Sequence, residues 1–214
     1  MRIISHRGYW KDPSEKNSMV AFERSFNLGF GTETDIRDCL QNLVISHDIP
    51  KGEETDFSDL LSLLRQKQNT NPLILALNIK ADGLAKFIGK QLRNYPNLEY
   101  FAFDMSIPDM PSYFSEGIPT FARMSEVERL PAWLDRCSGV WLDAFDSEWY
   151  DINDLSRILN LGKQICIVSP ELHHRPYRAA WSRLTPLAKN GGLILCTDLP
   201  EKAVEFFTLS RELV

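Results

Sequence analysis

Short apolar or alternating runs recur along this chain at residues 2–5, 32–36, 73–79, 100–103, 119–122, 139–142, 164–168 and 192–196. Their length and pattern predict strands. Between most of them lie stretches whose apolar residues recur with helical period, at residues 18–28, 57–67, 84–94, 152–161 and 177–189, with a last one at 201–213. Asp56 stands where it can cap the second of these, and Pro200 stands near the first turn of the last. Pro131 interrupts the link 125–137, and Pro108 and Pro111 shorten the segment after the fourth strand, so helices there are expected to be short or missing. Strict alternation of strand and helix requires parallel strands joined by crossovers. Eight such units predict a closed α/β architecture, a (β/α)8 TIM barrel, rather than an open doubly wound sheet. No Gly- or Ser-rich linker, repeat or low-complexity stretch divides residues 1–214, so a single domain with short loops is expected.

Composition narrows the function. With 43% hydrophobic residues the chain has enough apolar material for a sizeable core. Its formal net charge of −5 supplies no basic surface for a nucleic-acid backbone, although a local pocket can still be positive. Cys39, Cys137, Cys166 and Cys196 form no C-x-x-C pair, which favours a reducing, cytoplasmic setting over a disulfide or structural-zinc protein. The opening strand is followed at once by a polar motif, leaving no room for a signal peptide, and no apolar run approaches the ~18 residues of a membrane span.

In a barrel of this kind chemistry sits at the carboxyl ends of the strands, so the polar residues closing each run are the candidates. The first run ends in His6-Arg7-Gly8. The second carries Glu33 and Asp35, which a period of two projects onto one face. Leu43-Val44-Ile45-Ser46 ends in His47-Asp48, and the third full strand ends in Asn78-Ile79-Lys80. Two imidazoles, two same-side carboxylates, a guanidinium and an ammonium are thus expected along one rim of neighbouring strands. Such a set can hold a divalent cation and a phosphate between two proton-transfer groups. Two charged residues on one inward face are costly unless a cation compensates them. Asp104, Arg123, Asp143, Glu171 and His173 close the remaining runs and are expected to form a second wall of the pocket, with Asp143 or Glu171 able to supply a further carboxylate. Trp10, Trp141, Phe145 and Trp149 lie near the same ends, where a ring could stack on a ligand.

Taken in order, His6-Arg7-Gly8, Glu15 and Asn17 ahead of Ala21-Phe22, Gly29, Glu33-Thr34-Asp35, Val44-Ile45-Ser46-His47-Asp48 and the closing Cys196-Thr197-Asp198-Leu199-Pro200 resemble the glycerophosphodiester phosphodiesterase family, among the PI-PLC-like phosphodiesterases. The resemblance implies a barrel, a divalent cation (Mg²⁺ or Ca²⁺) held by Glu33, Asp35 and Asn78, phosphate contacts from Arg7 and Lys80, and His6 and His47 as an acid/base pair. The implied enzyme is a phosphoric diester hydrolase acting on a glycerophosphodiester or related polyol or sugar phosphodiester, a small substrate of lipid metabolism. Three departures stand out. Asn78 occupies a position where the family usually has a carboxylate, the segment after His47-Asp48 is short, and Lys16 separates Glu15 from Asn17. The residues leave open which histidine is the acid. They also leave open a lyase that stops at a cyclic phosphate, and a non-catalytic polyol-phosphate-binding barrel.

Overall fold

The computed structural model describes residues 1–67 and 73–212. In chain order these form β1 (Arg2–His6), α1 (Met19–Asn27), β2 (Gly31–Cys39), β3 (Asn42–Ile45), β4 (Thr55–Asp56), α2 (Phe57–Lys67), β5 (Ile74–Ile79), α3 (Ala85–Leu92), β6 (Glu99–Phe103), α4 (Met110–Ser115), β7 (Phe121–Met124), β8 (Gly139–Leu142), α5 (Ile152–Asn160), β9 (Gln164–Val168), α6 (Arg178–Leu184), β10 (Leu193–Thr197) and α7 (Pro200–Glu212). Every expected strand is present, and the architecture is mixed α/β. The last expected helical residue, Leu213, lies outside the described residues. No helix forms in the link broken by Pro131, and α4 is only six residues long. Among the described residues no helix is long and apolar enough to cross a membrane.

The chain divides into two compact units, residues 5–120 and residues 1–4 with 121–214. In the first, β2, β5 and β6 are parallel, with Asp35 opposite Asn78 and Asn78 opposite Phe103. A single parallel bridge, Ala102 to Thr120, continues this ladder immediately before β7 begins. Helix α1 starts where Ser18, in extended backbone, accepts from the Ala21 amide, and it stops at Gly29, whose φ of +78° suits a glycine after a helix end. It buries Ala21, Phe22, Ser25 and Phe26, the i, i+4 face expected of an amphipathic helix. Strand β5, Ile-Leu-Ala-Leu-Asn-Ile, is buried along its whole length, as a strand covered on both faces must be.

The second unit holds the parallel ladder β7–β8–β9–β10. Val140 and Leu142, Ile165 and Ile167, and Leu193 and Leu195 alternate along three strands and join Leu155, Trp181, Leu184, Ala203 and Phe207 from the helices in one apolar cluster. The period of two along each strand thus sets which residues meet the helices.

The apolar run before His47 lies outside the eight expected strands and forms β3, which folds back antiparallel on β2, Ile45 opposite Ile36 and Asn42 opposite Cys39. Asp56, expected as a helix cap, lies in β4 opposite Val44.

Candidate active site

The unit of residues 5–120 brings His6, Arg7, Glu33, Asp35, Asn78 and Lys80 together. After β1 the backbone turns through two consecutive left-handed residues, Arg7 at φ +56° and Gly8 at φ +80°. A side chain at Gly8 would meet Ala21 Cβ at 2.7 Å and Ala21 C at 2.9 Å, so only glycine lets the turn lie against α1. The turn is held by the Arg7 amide donating to the Glu33 carbonyl at 3.0 Å and to its carboxylate at 3.2 Å, and by the Gly8 amide donating to Thr32 Oγ1 at 2.9 Å.

Strand β2 buries four consecutive polar residues, Thr32, Glu33, Thr34 and Asp35, each at most 1% exposed. Such a strand requires a partner for every polar group. The carboxylate of Asp35 lies 3.0 Å from the Arg7 guanidinium and 3.3 Å from Lys80 Nζ, and it accepts from the Asn17 amide at 2.8 Å. The same Asn17 side chain accepts from Thr34 Oγ1 at 3.0 Å. Glu33 is less well compensated, with His6 Nε2 at 4.0 Å from its carboxylate. Burial, and then the charge of Asp35, push the Glu33 carboxyl up to about 7, against the opposing pull of His6, Arg7 and Lys80.

Asn78 is 8% exposed, and its side-chain oxygen is buried without a hydrogen-bond partner. Two buried carboxylates and an orphaned amide oxygen are hard donors of the kind that suit Mg²⁺ or Ca²⁺. Among the described residues no group of three or more His, Cys, Asp and Glu side chains converges on a metal position.

His47 reaches this level because β3 runs back along β2: the Ser46 amide donates to the Asp35 carbonyl at 3.1 Å. Its imidazole is half-exposed and sits 3.0 Å from Asp48, its neighbour in sequence. His6 closes β1, and His47 follows the end of the antiparallel β3.

Asn17 was legible as a motif member but not as a contact. Its left-handed φ of +61°, one residue before the α1 cap, turns the amide toward Asp35, and the inserted Lys16 does not prevent this. Glu15 points elsewhere: it pairs with Arg24 at 2.8 Å and accepts from the Lys11 amide, which hold its carboxyl down at about 2. Asp104 belongs to the same unit, just past β6, in left-handed backbone at φ +65°.

The other expected wall residues lie in the second unit and form two networks. Asp143 is buried and holds Arg123 at 2.8 Å and His173 Nε2 at 2.7 Å, while accepting from the Ala144 amide. Phe145 meets the His173 ring edge-on at 5.2 Å. Glu171 accepts from Ser169, Thr197 and the Asp198 amide, tying the end of β9 to the end of β10. Both carboxylates are thus engaged by neighbours within their own unit. Arg123 lies within β7 rather than beyond its end.

No family model and no curated protein matches the chain. Solved structures do. A glycerophosphodiester phosphodiesterase from Agrobacterium tumefaciens str. C58 aligns with a TM-score of 0.69 over 99% of each chain, at 14% identity. The chain shares its fold. A Ca²⁺-dependent phosphatidylinositol-specific phospholipase C from Streptomyces antibioticus aligns with a TM-score of 0.52, over 96% of each chain, at 11% identity. At these identities the likeness concerns the path of the backbone, and function has to be argued from the side chains.

Proposed function

We propose that this chain is a metal-dependent phosphodiesterase, a single (β/α)8 barrel domain over residues 1–214 that hydrolyses a glycerophosphodiester or a related polyol or sugar phosphodiester. The observation that carries this reading is the pair of buried carboxylates, Glu33 and Asp35, beside the unpartnered oxygen of Asn78 and flanked by Arg7, Lys80 and His6. The barrel is supported by the eight expected strands and by a fold likeness spanning 99% of both chains.

Glu33, Asp35 and Asn78 would hold the cation, Mg²⁺ or Ca²⁺, which when bound neutralises phosphate charge. Arg7 and Lys80, 3.0 and 3.3 Å from Asp35, would take the phosphate oxygens. His6 and His47 serve as acid and base: one imidazole removes the proton of the attacking hydroxyl or water, and the other delivers a proton to the departing alkoxide. Attack and departure lie in line at phosphorus, so the two proton transfers need groups on opposite sides. Asn17 acts one step back, fixing Asp35 against Thr34. A reducing, cytoplasmic setting is part of this reading, on the spacing of Cys39, Cys137, Cys166 and Cys196, which form no C-x-x-C pair.

The test is turnover of a panel of glycerophosphodiesters by chelated protein titrated with Mg²⁺ or Ca²⁺, with the phosphorus products resolved. Metal-dependent release of a phosphomonoester is expected. A cyclic phosphate as the sole product would make the chain a lyase. Tight binding of the diesters with no product would make it a binding protein.

A further inference from the structure

The unit of residues 1–4 and 121–214 contains a cavity of about 310 Å³ lined by Ile152, Leu155, Ala180, Leu184, Pro186 and Tyr150, with Glu148, Asp151 and Arg183 among its polar lining residues. None of these belongs to the candidate active site. Leu155, Ala180 and Leu184 are core residues and form its floor, while Asp151, Arg183 and Pro186 are exposed at its open side. Its volume falls at the lower end of small-molecule pockets, which are apolar with a few placed polar groups.

Two carboxylates and one guanidinium line the cavity, and both carboxylates are already engaged. Asp151 is consumed by its own helix, accepting from the Asn153 and Asp154 amides at 2.8 and 2.9 Å. Glu148 is shared by two guanidiniums, Arg175 at 2.6 Å and Arg183 at 2.8 Å. One carboxylate thus serves two cations, and Arg183, the more exposed of the two, is the one that lines the cavity. Tyr150 adds a phenol to the wall, and burial raises the pKa of that phenol. A neutral phenol can donate a hydrogen bond to an anion.

We propose that this cavity is a binding site for a small amphiphilic anion, an apolar body seated against Leu155, Ala180 and Leu184 with one carboxylate, sulfonate or phosphate on Arg183. The body is limited by the volume to a fused bicyclic ring or a medium-length acyl chain. This site goes beyond the proposed hydrolysis and stands or falls separately from it.

Calorimetric titration of the full chain with naphthalene-2-sulfonate and with octanoate tests it, the two probes distinguishing an aromatic from an acyl body. Saturable binding of at least one probe is expected. Arg183→Gln, a substitution at an exposed position, should weaken that binding about tenfold, as loss of one charged hydrogen bond does. Ala180→Phe should abolish it by filling the space. Should that variant not fold, Ile152→Phe at a half-buried wall position makes the same test. Naphthalene-2-sulfonamide, lacking the charge, should bind several-fold more weakly than the sulfonate. The proposal is overturned if neither probe saturates, if the sulfonamide binds as tightly as the sulfonate, or if the filled variant binds as the wild type does.

Discussion

Asp35 on β2 and Asn78 on β5 are direct register partners, and the first carries three polar contacts while the side-chain oxygen of the second carries none. An orphaned buried oxygen costs about 1–3 kcal/mol unless something is brought to it. In the proposed site that something is a divalent cation.

Asn78→Glu should therefore tighten cation binding, on the order of tenfold, because charge count at an oxygen site tunes its affinity. Calorimetry of the wild type and variant checks this. Equal affinities would place Asn78 outside the coordination sphere.

The β2–β3 hairpin shows where sequence reasoning reaches its limit. The parallel strands were legible because runs such as Ile74–Ile79 and Leu193–Thr197 are buried throughout and read as apolar. The carboxylates were legible because a strand alternates, so Glu33 and Asp35 share a face whatever lies around them. The return of β3 was not legible. Its two-residue turn is Leu40-Gln41, both at positive φ (+48° and +70°), where Asn-Gly or Asp-Gly is the usual signal. His47 was expected at a strand-end rim, whereas the hairpin that carries its neighbour Ser46 to the Asp35 carbonyl was not. Nor could the pattern tell a spare strand-end carboxylate from an engaged one. Asp143 and Glu171 look alike in sequence to Glu33, and only the packing reveals that Arg123, His173, Ser169 and Thr197 already occupy them.

Gly8→Ala is expected to cost about 2–4 kcal/mol. The added methyl would fall 2.7 Å from Ala21 Cβ on a backbone at φ +80°, combining overpacking with left-handed strain. Urea denaturation measures the loss. Because the same turn carries His6 and Arg7, activity should fall by more than the unfolded fraction explains.

In chelator, stability should fall as pH rises from 5 to 8. Glu33 has an ordinary value of 4.5 and a folded value of about 7, so the folded state binds the extra proton across that window. The stability this proton contributes is complete below about 4.5 and lost as pH passes through about 7, amounting to a few kcal/mol. Denaturation curves at both pH values check the slope. Glu33→Gln, which cannot ionise, should flatten it, and an unchanged slope in that variant would assign the effect to another group.

His6 and His47 carry the central claim, and kinetics of their single replacements test it most directly. With a glycerophosphodiester as substrate, His6→Ala and His47→Ala should each lower kcat by about 10²–10⁴, the usual worth of one general acid or base. The double variant should lose less than the product of the two. A nitrophenyl diester, whose leaving group needs little protonation, should restore the variant lacking the acid and leave the one lacking the base slow. Two single variants that both turn over the glycerophosphodiester at the wild-type rate would contradict the account.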